Sequence, residues 1–234
     1  MSRFAHADAR FEIPETFPEL AQTRVMVLEA LEAPSDLIVH AFAAQDTRLV
    51  LQGAGPDLGA VGALVEECEL APGWARVFET KVDGFDPAQR LAEAALSAFG
   101  GLDTLICRYD LRASKVARTL HDGEDDIARL FETQVCIAEA VAGHMAQRMG
   151  GAILHLALVD DPTTSAGGAS LAQASLGAIV SGQSQYWDDA DVLIAGLTAH
   201  DIANDQVATD LAGAALVMAS RRADWLAGQV MSVH

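Results

Sequence analysis

The residues whose types and spacing could do chemistry cluster in and just after residues 152–158 (AILHLAL). His155 lies within this run, and Asp160, Asp161, Thr163, Thr164, Ser165 and Ser170 follow it. Nucleophilic catalysis would need one of those hydroxyls within reach of a histidine that an acid orients. His155 falls inside an otherwise apolar run, so it reads as a core or sheet-face histidine. The Asp160–Asp161 pair has no histidine or further carboxylate at ligand spacing, so it reads as a solvated turn and no metal site is expected. His40, His121, His144 and His200 are scattered. Cys68, Cys107 and Cys136 form no C-x-x-C pair and read as buried thiols in a reducing compartment. Neither G-x-S-x-G nor a P-loop occurs.

The elements that must position these groups can be read from periodicity. Residues 152–158 are bounded by Gly151 and by Asp160, Asp161 and Pro162, which suits a strand covered on both faces. The helix expected after it, 168–187, is rich in small residues (Ala169, Ala172, Ala174, Gly177, Ala178, Gly182) and reads as an inter-subunit helix. Further buried strands are expected at 24–28, 47–53, 73–80, 102–107, 190–197 and 228–233. Helices are expected at 35–45 with Ser35 as cap, and at 58–70, 87–99, 124–149 and 206–220. Strand and helix alternate throughout. Right-handed crossovers then give an α/β fold, a single Rossmann-like doubly wound parallel sheet of about seven strands with helices on both faces. Residues 1–23 lack periodicity and read as a surface arm anchored by Phe4, Phe11 and Phe17, with one domain over 24–234.

Composition limits the partners. The 234 residues are 51% hydrophobic and 21% charged, which suits a globular chain with a large core. A net charge of −18 disfavours nucleic acid and anionic membrane surfaces. The N-terminus shows no apolar signal core and no run is long enough to span a bilayer, so a cytoplasmic protein is expected.

Several strings resemble the short-chain dehydrogenase/reductase (SDR) family of NAD(P)-dependent oxidoreductases over roughly residues 24–233. AFAAQDTRLVLQG looks like the family's first helix and second strand, and FGGLDTLIC like the approach to its fourth strand. HMAQRMGGAILHLAL is similar to its fifth helix and next strand, and LAGAALVMASRRADWLAGQVMSVH to its last helix and strand. The resemblance also locates the family's functional positions. Its glycine-rich turn after the first strand aligns with Leu28 to Ser35, so Glu29, Ala33 and Ser35 stand where glycines let a pyrophosphate approach backbone amides. Its N-N-A-G aligns with Cys107, Arg108, Tyr109 and Asp110. Its catalytic serine aligns with Leu158, and the tyrosine and lysine of its Y-x-x-x-K pair with Leu171 and Ser175. Its P-G after the sixth strand aligns with Thr198 and Ala199, followed by a gap too short for the usual substrate loop.

What the resemblance then implies is a catalytically silent SDR-like protein, a pseudoenzyme with no cofactor expected. It would act as a structural or regulatory subunit in a homo-oligomer, or with an active SDR paralogue. Helices 124–149 and 168–187 and the C-terminal strand would supply the contacts. The alternative is an NAD(P)-dependent short-chain oxidoreductase with unconventional cofactor binding and catalytic residues. A third is a small-ligand sensor using a vacated cleft near Glu29, Tyr109 and Asp160.

Overall fold

The computed structural model describes residues 16–54, 59–112, 125–148, 150–159, 166–200 and 202–233. Phe4 and Phe11 of the expected arm therefore lie outside the described residues. Seven strands, β1 (Arg24–Val27), β2 (Arg48–Gly53), β3 (Ala75–Glu79), β4 (Thr104–Asp110), β5 (Gly151–Leu158), β6 (Val192–Ala199) and β7 (Val230–Val233), form one sheet in the order 3-2-1-4-5-6-7. Every pairing is parallel. Between them run α1 (Ser35–Ala43), α2 (Ala60–Glu67), α3 (Phe85–Ala98), α4 (Asp125–Ala146), α5 (Ala166–Tyr186) and α6 (Asp205–Ala219). This is the doubly wound α/β sheet expected from the alternation of apolar runs and amphipathic segments.

Side chains alternate across the strands, so each strand feeds two cores. Val25, Val27, Leu154, Leu156 and Leu158 join Ile38 and Phe42 of α1, Val61 of α2 and Leu211 and Leu216 of α6 on one face. Met26, Leu105, Tyr109, Ile153 and Ala157 join Leu91 of α3, Ile137 and Val141 of α4 and Leu176 and Val180 of α5 on the other. Burial on both faces is why β4, β5 and β6 read as continuous apolar runs rather than alternating ones.

Several expected boundaries move. The segment 58–70 yields only α2, Ala60–Glu67, and 190–197 shifts to Val192–Ala199 because Asp188–Ala190 closes a 3₁₀ turn first. Ser35 is not the cap of α1. Pro34 holds that position without a side-chain cap bond, and Ser35 is the first helical residue, its buried hydroxyl lacking a partner among the described residues. The cysteines also differ from expectation. Only Cys107 is buried, while Cys68 and Cys136 are half-exposed.

The end of the arm is part of the core. Phe17 is 3% exposed, its N–H donates to Gln45 Oε1 at 2.8 Å, and the Arg222 guanidinium lies 4.6 Å from its ring centroid. Arg222 also pairs with Glu19 at 2.6 Å, which pins the 3₁₀ turn Pro18–Leu20 to the stretch after α6. Phe17→Ala should lower the free energy of unfolding by about 3–5 kcal/mol in urea titration, the cost of an unfilled aromatic site. A loss below about 1 kcal/mol would place Phe17 on the surface as an ornament of the arm.

Candidate functional site

In open α/β sheets the carboxyl ends of the strands are where ligands gather, and Arg108, Tyr109 and Asp110 of β4 and Thr198 of β6 stand there, with His155 farther back on β5. On the α3–α5 face polar side chains form one buried chain. Tyr109 and His155 are 0% exposed. Tyr109 Oη lies 2.9 Å from His155 Nδ1, and His155 Nε2 lies 2.7 Å from Gln183 Oε1 on α5. Gln183 Nε2 donates to Glu139 Oε1 on α4 at 2.8 Å, and Trp187 Nε1 donates to Glu139 Oε2 at 3.1 Å. The donors fix the direction. Gln183 spends its amide protons on Glu139, so its oxygen accepts from His155 Nε2–H, leaving Nδ1 to accept from the Tyr109 hydroxyl. Phe131 stacks on the Tyr109 ring at 5.2 Å between centroids. Burial holds the His155 imidazole neutral, bringing its pKa down to about 4. It raises the Tyr109 phenol well above its ordinary value, with the Cys107 thiol adding to the rise.

On the opposite face the turn between β1 and α1 is closed around Arg108. Arg108 is 5% exposed; its Nη2 donates to the Ala33 carbonyl at 3.0 Å and lies 3.6 Å from Asp110 Oδ2. Its Nε has no partner among the described residues. Burial lowers the pKa of Arg108, opposed by the charges of Asp110, Glu32 and Glu29. Burial likewise raises that of Glu29, against the pull of Arg108. Asp110 is gripped from its other side by Arg112 through bonds of 2.8 and 2.6 Å; these outweigh the burial that would raise its pKa and bring it below the usual carboxylate range.

Four amides of the same turn are already engaged. Glu29 takes a left-handed conformation, φ 52°, and its N–H donates to Gln52 Oε1 at 3.1 Å. The N–H of Ala30 donates to the Gln52 carbonyl, that of Glu32 to Glu29 and that of Ser35 to Glu32. Pro34 has none to offer. With these amides engaged and the carboxylates of Glu29 and Glu32 on it, the turn does not fit a pyrophosphate bound in the glycine-turn manner, which needs free amides and no negative charge at the helix N-terminus.

Of the other positions singled out in the sequence, Leu158 ends β5 with 0% exposure, paired with Asp110 of β4 and Ala199 of β6. Ser175 is half-buried on α5; Leu171 is in the same helix, with its side chain outside the described residues. Asp160, Asp161, Thr163, Thr164 and Ser165 lie outside the described residues, as does His121, and the side chain of Ser170 is likewise undescribed. Thr198 faces Ser232 at 2.8 Å between hydroxyl oxygens, and residues 200–204 alone separate β6 from α6. A cavity of about 170 Å³ opens at the ends of β5 and β6, lined by Leu158, Val159, Ala199 and Ile202 with Arg112 and His200. Tyr109 does not reach it. Among the described residues no three metal-ligating side chains gather, and no helix is long and apolar enough to cross a membrane.

This architecture has many solved counterparts. A hydroxysteroid dehydrogenase from Escherichia coli superposes with a TM-score of 0.71 at 18% identity, covering 92% of this chain and 97% of its own. A short-chain dehydrogenase from Bacillus anthracis gives 0.73 at 16%, covering 93% and 96%. The fold is that of the short-chain dehydrogenases. A 7α-hydroxysteroid dehydrogenase complexed with NADH and 7-oxo glycochenodeoxycholic acid shares the SDR fold at TM-score 0.72 and 17% identity, covering 93% of this chain and 95% of its own. The expectation of no cofactor is corrected by that finding, because the fold, nearly whole, is one that carries a nicotinamide nucleotide in that protein. No protein-family model and no curated protein matches the chain.

The sequence reading placed His155 in the core but missed its partners. Gln183, Glu139 and Trp187 sit on two helices, and only the parallel register of β4 and β5, Cys107 opposite His155, brings Tyr109 within reach. A polar residue, Gln183, on an otherwise buried helical face was the available signal. The neutral imidazole has a consequence for stability. The unfolded chain protonates it near pH 6.5 and the folded chain only near 4. Its contribution is thus complete above pH 6.5 and is lost as pH falls towards 4, up to about 3 kcal/mol. Urea unfolding from neutral pH to pH 4 should show the wild type losing stability more steeply than His155→Gln. Parallel profiles would contradict the assignment.

Proposed function

We propose that the chain is a catalytically silent SDR-fold protein, a structural or regulatory subunit that holds a nucleotide without the family's proton transfer. The observation that carries this reading is the direction of the acid–base groups of β4 and β5. Tyr109 and His155 are committed to each other and to Gln183 inside the core, and Leu158 closes β5 without a hydroxyl. A proton donor must touch the reacting atom or reach it through one water, and neither ring faces solvent. The nucleotide enters this reading from the fold, since a protein sharing it over most of both chains was solved with NADH.

A role as a subunit is supported by the surface of α5. Residues Ala166–Tyr186 carry no charged side chain in a chain of net charge −18, so another protein surface can approach this helix with little like-charge repulsion. We expect α4 and α5, with β7, to form the contacts, with another copy or with an active protein of the same fold. The cavity beside Arg112 and His200 favours the second reading, an oxidoreductase with an unconventional proton donor, and His200 is the group to replace if activity is found.

Calorimetric titration with NAD+, NADH, NADP+ and NADPH tests the proposal, joined to a hydride-transfer assay over alcohols and ketones and to the mass of the assembly. The expected result is weak but saturable binding of at least one nucleotide, no turnover, and a dimer or larger assembly. Turnover, or no binding of any of the four, would contradict it.

A further inference from the structure

Away from the carboxyl ends of the strands, the structure brings a thiol to a histidine. Cys68 caps the carboxyl end of α2, and α1 covers the same face of the sheet, so His40 in the last turn of α1 reaches it. Cys68 Sγ lies 3.5 Å from His40 Nδ1, and His40 Nε2 lies 3.9 Å from Glu67 Oε2. The Glu67 charge favours a proton on Nε2, which leaves Nδ1 to accept from the thiol. The His40 and Glu67 side chains are 41% and 57% exposed, and Cys68 is half-exposed. Nucleophile, base and orienting acid thus follow one another at the surface.

This thiol needs a base. Burial, with the Glu67 charge adding to it, pushes Cys68 up to about 11, so at neutral pH it is a thiol and not a thiolate. Such a group attacks an electrophile only as its proton leaves, and a basic sulfur released in this way is a strong nucleophile. His40 stands where that proton must go. Cys136 supplies a contrast within the chain. It too is half-exposed and raised by burial and a glutamate, Glu132, yet its Sγ faces the Phe85 carbonyl at 3.9 Å, and among the described residues no histidine bonds it.

We propose that Cys68 is a thiol-modification site, with His40 as its general base and Glu67 positioning His40, and that it takes a small neutral or cationic disulfide. The Cys68 sulfur attacks one sulfur of the disulfide while His40 Nδ1 takes the thiol proton. The old S–S bond breaks, the departing thiolate recovers that proton from His40, and a mixed disulfide and one small thiol result. Cys68 is oxidised and the small disulfide is reduced. Glu67 and the net charge of −18 disfavour an anionic disulfide. The site lies where α2 ends, before β3 begins, so the proposal stands apart from nucleotide binding.

The test treats the folded chain with cystamine, quenches with iodoacetamide and maps Cys68 and Cys136 by mass spectrometry. Cys68 should form the mixed disulfide at least about tenfold faster than Cys136, a margin well inside what a positioned base supplies, and dithiothreitol should reverse it. His40→Gln should bring Cys68 down to the rate of Cys136. Glu67→Gln should also slow Cys68, although loss of its charge by itself would ease ionisation of the thiol. Circular dichroism verifies that both variants are folded; if His40→Gln is not, the ratio of Cys68 to Cys136 in the wild type decides. Cys68 no faster than Cys136, or a Cys68 rate that His40→Gln leaves unchanged, overturns the proposal. A faster reaction in Glu67→Gln overturns the positioning role of Glu67.

Discussion

A fully buried imidazole must satisfy both of its nitrogens inside the protein, and much of this structure follows from how His155 does so. The ring leaves β5 on the α3–α5 face, so its partners must come from β4 on one side and from helices on the other. Tyr109 fills the first need and Gln183 the second, and Gln183 in turn commits Glu139 and Trp187. One hydrogen-bonded chain thereby fixes the heights of α4 and α5 relative to the sheet. Its cost is chemical. Groups of β4 and β5 able to move protons are used to hold the fold.

The opposite face solves a similar problem with charge. Arg108 and Tyr109 are neighbours on β4, so their side chains enter different layers. Arg108 enters the layer beneath the β1–α1 turn, where Glu29, Glu32 and Asp110 neutralise it, while Arg112 holds Asp110 from outside. The turn keeps the left-handed conformation at Glu29 and engages the amides of Glu29, Ala30, Glu32 and Ser35 with Gln52 and with itself. These bonds tie the turn to β2 and to the start of α1.

Much of the fold was legible in the sequence because its determinants are local. Apolar runs such as LDTLIC and ADVLIAGL, separated by amphipathic segments, sufficed for the parallel sheet, and β4 and β6 were displaced only by about two residues. Ser35 misled because its type suits a helix cap, whereas Pro34 holds the cap position without a side-chain bond and Ser35 is already the first helical residue. The site was legible only by position. Leu158, Glu29 and Arg108 could be placed, yet what Arg108 does depends on the Ala33 carbonyl 75 residues away. His155 was recognised as internal from its apolar neighbours, but Gln183 and Glu139 meet it only through the packing of two helices on one sheet face. No spacing in the chain encodes that meeting.

The central claim is that the acid–base groups of β4 and β5 belong to the core. Long-range ¹⁵N–¹H correlation of the histidine side chains tests it most directly, with His155 assigned by comparison with His155→Asn. The account predicts an imidazole locked as the Nε2–H tautomer, remaining neutral until pH approaches about 4. A His155 signal that averages both tautomers and titrates near 6.5 would contradict it, because that ring would be open to solvent and available for chemistry.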